Sequence, residues 1–185
     1  MKRILKFSCF LCCIFILTGC EKRDAEEIVL NIFEDWKQMD MDVWVCDPAM
    51  AGADTKVVIR NGMEAEYFRV DDPILSSLSD IKRATEEICT KNGAEKMYYD
   101  FYLDQLEMYH EEDGQLYILP MGIVAIYGGE LKDFELLEEK ENYIHARMEF
   151  FDSGNEVAYA IDIILIRENS KWKVDYLEQE FMDFL

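Results

Sequence analysis

The spacing of apolar positions changes repeatedly along this chain, and each change predicts an element. After a basic start (Lys2, Arg3, Lys6), an apolar stretch runs from Phe7 to Leu17. From about Asp24, Ile28, Ile32, Phe33 and Trp36 recur at helical spacing, with Glu26, Glu27, Glu34 and Asp35 between them, which predicts an amphipathic helix. That helix should fade before Pro48, because the proline ring disfavours helical geometry in the preceding residue. Pro48 to Asp54 reads as a small-residue loop. Lys56–Arg60 and Met63–Val70 flank Asn61-Gly62, a dipeptide that tolerates positive φ at both centres of a type I′ turn, so they predict a hairpin. Two strands alone are marginal, and this hairpin must pack on something else.

Ser77 or Ser79 can cap a helix running to about Thr90, with Leu78, Ile81, Ile88 and Cys89 inward and Asn92-Gly93 as its C-cap. A further helix is predicted to about Tyr109, its stripe formed by Met97, Phe101, Leu103, Leu106 and Tyr109. From Gln115 the pattern is antiparallel sheet: Leu116–Leu119, then Leu131–Glu139, Tyr143–Phe151, Glu156–Arg167 and Lys171–Leu177, with standard turn chemistry between the last four. Ile144, Ala146, Met148 and Phe150 alternate with polar neighbours, as do Trp172, Val174 and Tyr176, so one face is buried and the other wet. The predicted fold is α+β: helices packed on a curved antiparallel sheet of the cystatin-like or nuclear-transport-factor-like class, with the N-terminal helix and hairpin as a flank or second lobe.

Leu17-Thr18-Gly19-Cys20 closes the N-terminal apolar stretch, which is too short to span a bilayer comfortably. A basic start, an apolar core and small residues before the cut make a secretory signal, and the cut before cysteine resembles that of bacterial lipoprotein signals. The resemblance implies removal of residues 1–19 and a lipid on Cys20, and hence a chain held on the extracytoplasmic face of a bacterial membrane. Residues 20–27 then form a tether and 28–185 one domain. Loss of the leader removes three basic residues and takes the formal net charge from −20 to −23. So acidic a chain repels phosphate backbones, which excludes nucleic acid, and it favours basic partners.

Cys9, Cys12 and Cys13 leave with the leader, so Cys46 and Cys89 remain as free thiols. A disulfide between them is one reading, and two thiols buried on apolar helix faces the other. His110 and His145 are the only histidines, and neither stands in a catalytic motif; His145 falls on the wet face of its strand. No nucleophile elbow, zinc-protease motif, P-loop or dinucleotide fingerprint occurs. The acidic runs lack the pattern of a calcium loop and read as solvated turns. No catalytic residue, metal or cofactor is expected. The stretch after Pro120 is apolar and glycine-containing: Met121, Ile123, Ile126 and Tyr127 are either another buried segment or a loop offered to a partner.

Taken in order, Arg60-Asn61-Gly62-Met63-Glu64-Ala65-Glu66-Tyr67-Phe68, the helical stretch Leu78 to Thr90, Asp113-Gly114-Gln115-Leu116-Tyr117 and Lys171-Trp172-Lys173-Val174-Asp175 resemble the IseA-type inhibitors of bacterial cell-wall DL-endopeptidases. The resemblance covers residues 56–176. It implies a non-catalytic inhibitor that occludes a papain-like peptidase cleft, with a cell-wall hydrolase or another basic envelope protein as partner. The chain departs from the family at Pro120–Tyr127, which is apolar here and polar there. The rival expectation is a ligand-binding or enzymatic cone with a pocket lined by Tyr127, Phe134, Tyr159 or Trp172, and His145 or an acid pointing inward. An anchored scaffold or sensor subunit is the third.

Overall fold

The computed structural model describes residues 25–45, 51–60, 62–120 and 127–182. Helix α1 (25–43) is followed by strands β1 (Ala51–Arg60) and β2 (Met63–Val70) and helices α2 (Leu78–Ile88) and α3 (Lys91–Ala94). A π-helical segment (Glu95–Gln105) leads to β3 (Tyr109–Glu112), β4 (Gln115–Ile118), β5 (Glu130–Lys140), β6 (Tyr143–Asp152), β7 (Val157–Glu168) and β8 (Lys171–Met182). The strands form two antiparallel sheets, one in the order β1-β2-β4-β3 and one a meander, β5-β6-β7-β8. The fold is α+β, with helices against a strongly curled meander sheet, as the sequence pattern predicts.

The curl has a local cause. Lys132 and Leu137 are extra residues in β5 opposite β6, and Asp175 is extra in β8 opposite β7. Each such bulge bends its strand and increases the twist. The alternation in β6 is as expected, with Ile144, Ala146, Met148 and Phe150 all buried. On the wet face, Arg147 donates to Asp162 at 2.5 Å and to Glu180 at 3.2 Å, joining three strands. Tyr176 corrects the reading of β8: it is exposed, because the bulge at Asp175 reverses the side on which later residues point.

Three further expectations change. Asn92-Gly93 is not a C-cap but lies inside α3, whose N-cap is Thr90, its hydroxyl accepting from Gly93 N at 2.9 Å. The helix expected to reach Tyr109 ends at Gln105, and its buried residues are Tyr98 and Tyr99 while Phe101 is exposed. A π-helix closes i→i+5 hydrogen bonds and is wider than an α-helix, so a 3.6-residue stripe selects the wrong positions there. Tyr109 instead opens β3, and Asp113-Gly114, both at positive φ, form the tight turn of a β3–β4 hairpin. This second hairpin is what β1–β2 packs on, through β2–β4 pairing, so β4 belongs with the first hairpin rather than with the meander.

Both sheets and all the helices contribute to one core cluster, from Ala25 and Val29 on α1 to Val174 on β8. Ser77 caps α2, accepting from Asp80 N at 3.1 Å. The joint between helices and meander is tight at α3. Thr90 N donates to Val174 O at 2.8 Å, and the Thr90 hydroxyl donates to Asp175.

Candidate functional site

Helix α1 packs on the buried face of the meander. Its buried residues Ala25, Val29, Phe33, Trp36, Met39, Asp40 and Val43 follow helical spacing, while Ile28 and Ile32 are only partly covered and flank that stripe. Phe33 stacks on Trp36 (centroids 5.8 Å apart) and meets Phe150 at 5.6 Å, and Phe150 stacks on Tyr159 at 5.3 Å. Among the described residues, rings of α1 and of the meander thus pack directly on one another. Offset ring pairs of this kind stabilise packing by about 0.5–1.5 kcal/mol each beyond area burial.

Of the residues named for a pocket, no two line the same hollow among those the described residues form. Tyr159 is fully buried and its hydroxyl donates to Gly128 O at 2.8 Å. Phe134 packs on the core edge, and Trp172 lies at the outer surface with Arg167 over its ring at 5.9 Å. Tyr127 sets its edge against Trp36 at 5.3 Å, and its flank lines a surface hollow of about 320 Å³ with Glu34, Lys37 and Met41. Met121, Ile123 and Ile126 lie outside the described residues, as do Cys20 and Cys46. His145 sits on the wet face, 3.7 Å from Asp162. His110 belongs to the other sheet, with Nε2 3.1 Å from Glu112 and its ring beside Tyr67. Cys89 is a free, buried thiol against β8, and burial pushes its pKa up to about 12, so it is no ready nucleophile.

Among the described residues, the acid that is buried is Asp40. Tyr98 Oη donates to Asp40 Oδ1 at 2.7 Å, and the Tyr127 hydroxyl donates to Asp40 Oδ2. Burial raises the Asp40 pKa above its ordinary value of 3.8, and the two phenolic donors partly offset this. Asp40 also raises the already burial-shifted pKa values of Tyr98 and Tyr127. The cluster fastens α1 to the π-helical segment and to Tyr127. Its signal in the sequence is an acid in register with Val29, Phe33, Trp36 and Val43. Because the folded-state pKa is raised, folding retains the proton where the unfolded chain has lost it. Asp40 therefore contributes stability that is complete below the ordinary value and declines as pH rises through the raised one. Asp40→Asn should remove this component: the difference in unfolding free energy, wild type minus variant, should fall as pH rises from 3.8. Urea titrations across that range check it, and a difference independent of pH would show that Asp40 does not titrate differently on folding.

Outside the core, a groove runs between α1 and α2. Two contiguous hollows of about 450 and 510 Å³ share Asp35, Glu87 and Ile88. Ile32, Met39, Val43 and Ala84 supply apolar lining, and Asp35, Asp42, Asp72 and Glu87 supply acids. No helix among the described residues is long and apolar enough to cross a membrane. No family model matches this chain, and no curated protein matches it.

Proposed function

We propose that this chain is a membrane-anchored, extracytoplasmic lipoprotein that acts as a non-catalytic binding module and inhibits a cell-wall DL-endopeptidase. The observation that carries the reading is the ring packing between α1 and the buried face of the meander. Phe33 and Trp36 of α1 are buried, and Phe33 meets Phe150 on the face of the sheet that a ligand-binding cone would turn toward its ligand. Such a domain works from its outside, and that outside is strongly acidic. Encounter with a basic hydrolase is accelerated by the complementary field. The order of hairpin, helices, Asp-Gly-Gln-Leu-Tyr and a meander closing on Lys-Trp-Lys-Val-Asp is the resemblance that names the target class.

Lipid on Cys20 would hold the domain close to the bilayer. Five residues, fully extended, reach at most about 18 Å from the anchor to the first turn of α1. Two measurements test the reading together. A palmitate analogue fed to cells should label the wild type and not Cys20→Ala, and label on the variant would refute the anchor. In calorimetry a purified basic DL-endopeptidase should bind the full chain with one-to-one stoichiometry, and the affinity should fall as salt rises. No heat of binding at millimolar protein would remove that enzyme as partner.

A further inference from the structure

We infer that the groove between α1 and α2 is the docking site for a basic amphipathic helix of a partner protein; this rests on the binding-module reading above and specifies its surface. The groove is built from a second stripe on α1. Ile28, Ile32, Asp35, Met39 and Asp42 recur at three and four residues, on the flank of the buried face, with Met39 buried in the core cluster at the floor of the groove. Ala84, Glu87 and Ile88 of α2 face it, and Ile74, in the loop before α2, stands beside one end at 69% exposure. From Ile28 to Val43 the groove follows sixteen residues of helix, about 22 Å between its ends at 1.5 Å rise per residue, which matches a partner helix of about four turns. A helix laid in such a groove anchors through apolar residues at i, i+3, i+4 and i+7.

The charge of the occupant follows from the walls. Asp35 and Glu87, which border both hollows, have no ion-pair partner among the described residues. Among the described residues, Asp42 accepts from its helix neighbour Gln38, at 2.8 Å, and Asp72 accepts from the backbone of Ile74 and Leu75, so neither meets a cation there. Lys171 is the one basic residue lining the groove among the described residues, and it lies at the Ile28–Trp172 end. A partner therefore places apolar side chains over the Ile32–Met39 floor and lysine or arginine over Asp35, Asp42, Asp72 and Glu87. A second copy of this chain, equally acidic, fits these walls poorly.

The test uses the full chain and a fifteen-residue helical peptide with leucine at the i, i+3, i+4, i+7 positions and lysine elsewhere, followed by fluorescence anisotropy. The peptide should bind the wild type, and a counterpart with glutamate for every lysine should not. Asp35→Asn with Glu87→Gln should weaken binding at least tenfold, and Ile74→Ser about tenfold, both without lowering the melting temperature, since these side chains are exposed. Glu138→Gln with Glu139→Gln, the same charge change on β5, should alter it less than twofold. Equal weakening by the β5 pair would reduce the attraction to net charge and overturn the inference. So would absence of peptide binding at millimolar concentration, or self-association abolished by Ile74→Ser. Titrating the DL-endopeptidase separates the two levels. Enzyme binding without peptide binding discards the groove and keeps the module, whereas peptide binding without enzyme binding keeps the groove and discards the endopeptidase as its target.

Discussion

Replacing Trp44 by alanine should lower the unfolding free energy by about 3–5 kcal/mol, the range for a fully buried aromatic truncated in a packed core. Trp44 is 1% exposed and sits where α1 ends, its backbone N donating to Asp40 O at 2.8 Å. Its ring stacks on Tyr98 at 4.8 Å and contacts Tyr102 at 5.7 Å and Tyr109 at 5.9 Å, so one side chain ties α1 to the π-helical segment and to β3. Its Nε1 donates to the buried Thr85 hydroxyl at 3.1 Å, and that hydroxyl donates to Ile81 O at 2.9 Å. Alanine leaves a cavity and removes the donor that Thr85 accepts. Rigid neighbouring rings collapse poorly into such a space, which places the cost toward the upper end. Urea denaturation with an unchanged m-value checks this; a loss below 1 kcal/mol would mean that the aromatic cluster does not hold the helices together.

Gly93→Ala should also destabilise, although glycine to alanine inside a helix ordinarily gains about 1 kcal/mol. A Cβ at position 93 would lie 2.7 Å from Val174 O, 2.8 Å from Asp175 O and 2.9 Å from Asp175 Cα. All three are backbone atoms of β8, so no side chain can swing aside. Either α3 lifts from the sheet or the bulge at Asp175 shifts, and both disturb the Thr90–Val174 hydrogen bond. Overpacking of this kind costs about 1–3 kcal/mol and outweighs the helix gain. For a chain of this size the net loss corresponds to a fall of several degrees in melting temperature, at about 2–4 °C per kcal/mol. An unchanged or higher melting temperature would show that α3 and β8 are not in contact as described.

The same residues show what was legible in the sequence. The meander was, because β6 alternates cleanly and its turns carry Asn, Gly and Ser at the right spacing. The hairpin at Asn61-Gly62 was legible for the same reason, since a two-residue turn fixes its strands locally. The pairing of that hairpin with β3–β4 was not, because β2 and β4 are joined only by two register positions far apart in sequence. The π-helical segment defeated a 3.6-residue reading, and the bulge at Asp175 inverted Tyr176 without a local signal beyond one extra residue.

Among functional residues, the sequence flagged apolar and aromatic positions but passed over acids. Asp40 was an inward acid in the helical register of Phe33 and Trp36, and Asp35 and Asp42 were exposed acids on the flanking stripe. Their significance comes from α2, which brings Glu87 and Ile88 opposite them, and no spacing within α1 announces that neighbour.

The central claim is that this chain restrains a cell-wall endopeptidase by binding it. The most direct measurement is hydrolysis of a defined muropeptide by a purified DL-endopeptidase at rising concentrations of the protein. The rate should fall and saturate near one equivalent at low salt, with partial relief as salt rises, and the protein alone should release no product. Hydrolysis unchanged at saturating protein would contradict the claim for that enzyme, and turnover by the protein itself would contradict the non-catalytic reading altogether.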